Sequence, residues 1–343
     1  MGRPMLRWWG RVAMLGAGVG LTAWILWAVG WPAIAANVSA IGPWFFALVG
    51  LYLFAQLAFM TGWWVVFHPR QRCSRFLPLF GVYLAGDSVN YLVPSGNMAG
   101  EPVKAHLVRH VVGLGHAVTS ITVHKHAELV AQWMFLVAGT AICLWHFHLP
   151  TPVMLAVGGI LVFLGGSLLA LSWALRRGGL TALLQRVAAW RPVAALLRRH
   201  RASLEALDAR IATFYRARGR WFAAATAWCL LGWCGGLLES YLILRFLAPG
   251  AGWPTAVAVE TLAMTLNSVI AFIPGRLGSA EGVRVGVCML LGLPAALGVT
   301  YGLVRRGREL IWILPGIVVL LRWHAGRLLG LGFLASPGRD TPA

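Results

Sequence analysis

Seven of the ten acidic residues in this chain, Asp87, Glu101, Glu128, Glu239, Glu260, Glu281 and Glu309, stand in or beside long apolar stretches. An ionised side chain at the centre of a bilayer costs about 2.5–3.5 kcal/mol on insertion scales, so it is rarely kept there without a partner or a water-filled cavity. Cations stand at helical spacing from most of these acids: Glu101 with Lys104, Lys125 with Glu128, Glu281 with Arg284, Arg306 with Glu309, and Arg305 one turn from Glu309. Such pairs suit the capture of an anionic headgroup. Arginine grips phosphate through two parallel hydrogen bonds, and the glutamates hold the cations oriented while the site is empty. The plainer alternative is that the pairs only neutralise each other and hold helices together, a task that buried pairs do weakly.

These residues belong to a motif that occurs twice. Asp87 lies seven before Pro94, with Glu101 seven after it and Lys104 three further on; Asn267, Pro274, Glu281 and Arg284 repeat that spacing 180 residues later (94 to 274). Lys125 with Glu128 and Arg306 with Glu309 extend the echo at an offset of 181 (125 to 306). The two prolines, with Gly96, Gly100, Gly275 and Gly278 around them, read as helix breaks at membrane depth, where irregular backbone is tolerated only when buried in protein or lining a cavity. Freed N–H groups at the next helix start would suit phosphate oxygens, and Glu101 followed by Pro102 reads as such a start. The geometric expectation is that Glu101 and Glu281 approach each other around a polar cavity near the midplane. Candidate substrate-binding residues are therefore Asn90, Pro94, Glu101, Lys104, Lys125, Glu128, Asn267, Pro274, Gly278, Glu281, Arg284, Arg305, Arg306 and Glu309. Asp87 and Glu260, each in an apolar run, are candidate proton relays or bond to Asn90, Asn267 or backbone.

No catalytic residue, metal ligand or cofactor is assigned. His106, His110, His116, His124 and His126 cluster in sequence without a zinc-type spacing, and the second repeat has no histidines at equivalent places. The five cysteines, Cys73, Cys143, Cys229, Cys234 and Cys288, show no CxxC and read as reduced thiols.

The elements that carry the motifs must be membrane helices. With 59% hydrophobic and 11% charged residues, and a mean hydropathy of +0.74, the chain has more apolar surface than a soluble domain of 343 residues can bury. Its formal charge of +19 does not point to nucleic acid, because the arginines flank apolar runs, as the positive-inside bias predicts. The expected fold class is all-α: a polytopic helical membrane protein with two repeats, inverted relative to each other, containing re-entrant or broken helices and about six to eight membrane segments.

Taken in order, an uncleaved first span is expected over 12–31 and a second over 44–67, followed by a basic loop at 68–75. The first motif segment covers 76–104, and spans follow over 128–149 and 153–175. Residues 176–220 form a basic cytoplasmic loop whose apolar positions recur at helical spacing, as in an amphipathic helix lying on the inner leaflet. A span over 221–247, the second motif segment over 255–284, a short apolar run over 285–293 and a last span over 295–321 complete the membrane region. The tail at 323–343 is expected in the cytoplasm. The whole of 1–343 reads as one integral membrane domain, with repeat 1 over 44–149 and repeat 2 over 221–322. If the loops near 70, 104–125 and 176–220 share one side, residues 76–100 must enter and leave by the same face, and the second motif then arrives from the opposite face. In the alternative, residues 255–273 cross fully.

At the two motifs the chain resembles the membrane region of lysylphosphatidylglycerol synthases and the broader flippase-like family, including its stand-alone hopanoid-associated branch. The matching positions are Asn90 to Pro94 with Gly100, Glu101, Pro102, Val103 and Lys104, then Ile273, Pro274, Gly275, Leu277, Gly278 and Glu281, then Arg305 to Glu309 with Pro315 and Gly316; the stretch from His124 to Leu129 is similar too. Asn97 with Met98, and Arg284, depart from the family's pattern. The resemblance implies lipid translocation in the bacterial inner membrane. It does not imply lipid aminoacylation, which belongs to a separate soluble domain that cannot be placed in this chain. The leading expectation is thus a flippase or transporter for an anionic, polyprenyl-linked or hopanoid-type lipid. No nucleotide-binding motif is present, so its drive would be an ion gradient or downhill exchange. The alternatives are a lipid-modifying enzyme, with Glu101 or Glu128 as general base and His124 or His126 assisting, and an accessory subunit of lipid-synthesis enzymes. Membrane lipids are the expected partners; the oligomeric state is left open.

Overall fold

A computed structural model describes residues 39–67, 76–93, 97–179, 181–182, 201–269 and 279–328, with positions 32 and 36. The regular structure among them is all-helical. A chain this apolar must close its backbone hydrogen bonds within helices, because the bilayer offers no water to satisfy them. Helix α1 spans Trp44–Val66, α2 Phe76–Leu92, α3 Gly100–Val112, α4 Leu114–His146, α5 Thr151–Arg177, α6 Arg201–Leu247, α7 Trp253–Val269, α8 Ser279–Leu290 and α9 Ala295–Leu328. Among the described residues α1, α4, α5 and α6 are long and apolar enough to cross a membrane. The 34-residue α9 has the length, but Arg305, Arg306, Arg308 and Glu309 interrupt its apolar run. The expected first span at 12–31, the loop at 68–75, the two prolines Pro94 and Pro274, Gly278 and the tail beyond 328 lie outside the described residues.

Two boundaries differ from the sequence reading. Helix α4 starts at Leu114 rather than near residue 128, so Lys125 and Glu128 sit inside a 33-residue helix. At about 1.5 Å per residue it is about 50 Å long against a hydrocarbon core of about 30 Å. Its polar first half is sustained by burial: Ala117, Ser120, His124 and Ala127 line one covered face. The basic segment from Arg201, expected as a loop helix separate from the span after Trp221, instead runs on into that span as one 47-residue helix. Only Arg218 departs from helical geometry (φ −137°, ψ 28°), which marks the kink between the two parts. Asp208 on the basic part accepts the Thr181 N–H at 2.9 Å.

The motif segments are short helices. At about 1.5 Å per residue, α2 (17 residues) and α3 (13 residues) rise about 25 and 20 Å, each short of the bilayer core. They lie back to back with no room for a side chain, since a Cβ on Gly100 would overlap the Gly86 carbonyl. Asn90 Oδ1 accepts the Gly100 N–H at 2.6 Å, so the end of α2 caps the start of α3. The second half has the same order of elements: α6 and α1 are the long helices, then α7 matches α2 at 17 residues, α8 matches α3 at 12, and α9 matches α4. The halves interlock, with α2 packed on α9 and α7 packed on α4. Ser88 Oγ on α2 lies 3.0 Å from the Ile313 carbonyl of α9 at that seam. Helix α5 is largely peripheral, with Val162, Phe163 and Leu169 each more than 70% exposed, a surface suited to acyl chains.

Candidate functional site

Helix α9 delivers the second-half charges. Residues 305, 308 and 309 share one face at i, i+3 and i+4, while 306 turns aside by about 100°. Arg305 reaches α7, with Nη1 3.0 Å from Glu260 Oε1, and α6, where Nη2 donates to the Gly236 carbonyl at 3.1 Å. Glu260 also accepts hydrogen bonds from Ser240 (2.6 Å) and Tyr301 (2.7 Å). Arg308 donates to Glu239 on α6 at 2.6 Å, and both side chains are buried. Arg306 instead grips Glu281 on α8 at 2.8 Å, and approaches Glu309 at 3.5 Å. Two expected pairs are therefore corrected. Glu281 takes Arg306 from a neighbouring helix rather than Arg284, whose guanidinium lies 5.7 Å from the centre of the Tyr301 ring. Arg305 takes Glu260 and Glu239 rather than Glu309, because these acids on the neighbouring α7 and α6 occupy its guanidinium.

Three buried polar atoms in this cluster have no hydrogen-bond partner among the described residues: Glu239 Oε1, Arg305 Nε and Arg308 Nε. Buried donors and acceptors left unmatched are destabilising unless water or a ligand meets them. Asn267, at the motif position corresponding to Asp87, is half-buried on α7 and its Oδ1 is likewise unmatched.

The first half is built differently. Lys104 donates to Glu101 at 3.1 Å within α3 and lies 4.6 Å over the Tyr83 ring. Lys125 donates to both oxygens of Glu128 at 3.0 Å within α4. These two pairs are the ones that helical spacing predicts. Asp87 on α2 accepts a hydrogen bond from Gln56 Nε2 of α1 at 2.8 Å, rather than from Asn90. Asn90 has its side-chain oxygen committed to the α3 start, which takes up the Gly100 N–H that sequence reasoning assigned to a phosphate. The ion pairs described for Glu101 and for Glu281 each stay within their own half.

Helix α1 is the seam between the halves. Tyr52 holds the Arg308 guanidinium 3.6 Å from its ring centre and places its hydroxyl 3.4 Å from that of Tyr91 on α2. One turn later on the same face, Gln56 meets Asp87. Gln56, Tyr52, Glu239, Arg308, Ser240 and Tyr301 were not among the sequence-selected site residues. Gln56 carried a signal, being the one side-chain amide in the apolar run 44–66. The histidines proposed to assist catalysis are engaged elsewhere: His124 with the Phe59 carbonyl at 2.9 Å, and His126 with Tyr215 and with Ser172 at 2.7 Å.

The sequence description of the lysylphosphatidylglycerol synthase transmembrane region matches residues 10–316 of this chain, and the chain belongs to that family. It is thus a helical membrane protein related to lipid handling. No curated protein and no solved structure matches it.

Proposed function

We propose that this member of the family moves an anionic phospholipid between the leaflets of the bacterial cytoplasmic membrane. The headgroup passes along the polar interior between the two short-helix hairpins while the acyl chains stay in lipid. The observation that carries this reading is the unmatched Glu239 Oε1, Arg305 Nε and Arg308 Nε, buried where α9 meets α6 and α7. Such atoms suit a polar group that comes and goes better than a purely structural network, whose members would satisfy one another. Lys104 in α3, with Arg284, Arg305 and Arg306 of the second half, supplies the cations that would meet a phosphate.

In this reading the α2–α3 and α7–α8 hairpins enter from opposite faces, as inverted repeats do around a central site. The interlocked packing of α2 on α9 and α7 on α4 supports it, because each hairpin then closes against the other half. Hopanoid- or polyprenyl-type lipids with an anionic group present the same chemistry to these cations.

The test is reconstitution of the full chain in phosphatidylglycerol-containing vesicles with NBD-labelled phosphatidylglycerol, reading the fraction bleached by external dithionite over time. The wild type is expected to expose inner-leaflet label, and Glu101→Ala and Glu281→Ala are expected to slow it. Wild-type rates in both variants, or a covalently changed lipid found by mass spectrometry in place of relocation, would overturn the reading.

A further inference from the structure

We infer that Asp87 is a proton-binding site, and that Gln56 is the partner that serves it in both charge states. Every other acid of the described membrane core has a cation within ion-pair distance. Glu101 has Lys104 at 3.1 Å, Glu128 has Lys125 at 3.0 Å, Glu239 has Arg308 at 2.6 Å, Glu260 has Arg305 at 3.0 Å, Glu281 has Arg306 at 2.8 Å, and Glu309 has Arg306 at 3.5 Å. Asp87 has none among the described residues; its single described hydrogen bond comes from Gln56.

The charges around Asp87 explain why none is free to serve it. On α3, Lys104 is held by Glu101 and lies over the Tyr83 ring. On α4, Lys125 is held by both oxygens of Glu128. On α9, Arg308 is held by Glu239 and covered by Tyr52, and Glu309 adds a further negative charge. Tyr52 of α1 and Tyr83 and Tyr91 of α2 also belong to the titratable surroundings. The buried cluster around Asp87 on α2, α3 and α4 thus holds three acids, Asp87, Glu101 and Glu128, against two cations, Lys104 and Lys125, while Arg109 stands in the last turn of α3. One negative charge at membrane depth stands uncompensated, and a proton on Asp87 cancels it.

The chemistry of the partner fits. An amide donates through its NH2 to a carboxylate and, turned over, accepts through its oxygen from a carboxylic acid, so Gln56 satisfies Asp87 with or without the proton. A lysine or arginine at that place would lock the charged form. Asp87 is only half-buried, and its second oxygen has no partner among the described residues. Glu260, the other acid in an apolar run that sequence selected, is the opposite case: Arg305, Ser240 and Tyr301 all favour its charged form.

The Gln56–Asp87 bond ties α1 to α2 in both states, but it is charge-assisted and stronger only while Asp87 is ionised, so protonation weakens that tie without breaking it and lets the hairpin shift. This last step, coupling of proton binding to lipid movement, rests on the translocation reading; the proton site itself does not.

Infrared difference spectra between acidic and alkaline buffer, recorded on the purified full chain, test the site. The wild type is expected to show a protonated-carboxyl band that is lost in Asp87→Asn. Gln56→Leu, which removes the donor to the carboxylate, is expected to keep that band to more alkaline buffer. A carboxyl band that persists unchanged in Asp87→Asn, or an unshifted titration in Gln56→Leu, would overturn the proposal; the second comparison decides if Asp87→Asn does not insert. In vesicles, an imposed pH gradient should change the wild-type rate of NBD-phosphatidylglycerol movement and leave the Asp87→Asn rate unchanged. If the wild type moves no labelled lipid, translocation fails while the infrared result still decides the proton site.

Discussion

The two halves repeat one another in sequence spacing and helix order, yet they use their charges in opposite ways. In the first half each described ion pair lies within a single helix, Glu101 with Lys104 in α3 and Lys125 with Glu128 in α4. In the second half the close pairs cross between helices: Arg305 joins α9 to α7, Arg308 joins it to α6, and Arg306 joins it to α8. A pair confined to one helix travels intact when that helix moves, whereas a pair between helices must break. The lysines of the first half are single point donors, and the arginines of the second present a fork that reaches several acceptors at once. The second half is thus pinned across helices by arginine, whereas the first half is joined to α1 through the neutral amide of Gln56.

This contrast is most severely tested by breaking the cross-helix pairs. Glu239→Ala removes the acceptor of Arg308 and leaves a buried guanidinium without it; the expected loss is about 3–5 kcal/mol, read as a lower unfolding temperature in detergent. A loss no larger than that of a first-half variant would erase the distinction. Arg308→Lys keeps the charge but gives up the fork and the stacking on Tyr52, so a smaller loss of about 1–2 kcal/mol is expected in the same assay. In the first half, removing both members of a local pair in Glu101→Gln/Lys104→Met should change stability by less than about 1 kcal/mol, because exchanging a whole buried pair for neutral side chains is often nearly neutral. The exposed Arg201–Glu205 pair, at 2.7 Å on the basic part of α6, marks the floor: Arg201→Ala should leave the unfolding temperature unchanged.

The membrane class, the helical fold and the family were legible because they rest on composition, on runs of apolar residues and on a repeated motif. The local pairs at Glu101 and Lys125 were legible as well, since i,i+3 neighbours on a helix need no tertiary knowledge. The cross-helix partners were not. Four charged residues within 305–309 fan out around α9, and which of them meets Glu239, Glu260 or Glu281 depends on how that helix is rotated against α6, α7 and α8. The start of α4 was misplaced for a related reason: its polar stretch before Glu128 reads as loop until packing buries Ser120 and His124. Gln56 shows the limit most clearly, since a lone amide in an apolar helix announces a polar contact without naming Asp87 as the other side.

The central claim is that lipid movement needs the local first-half pair of Glu101 and Lys104, while the second-half arginines both pin their helices together and offer their remaining donors to the headgroup. It is tested most directly by the rate of NBD-phosphatidylglycerol movement in vesicles containing Glu101→Gln/Lys104→Met, beside wild type of matched unfolding temperature. The account predicts a fall of about tenfold or more, the change that about 1.4 kcal/mol of barrier produces. A wild-type rate in that variant would contradict it.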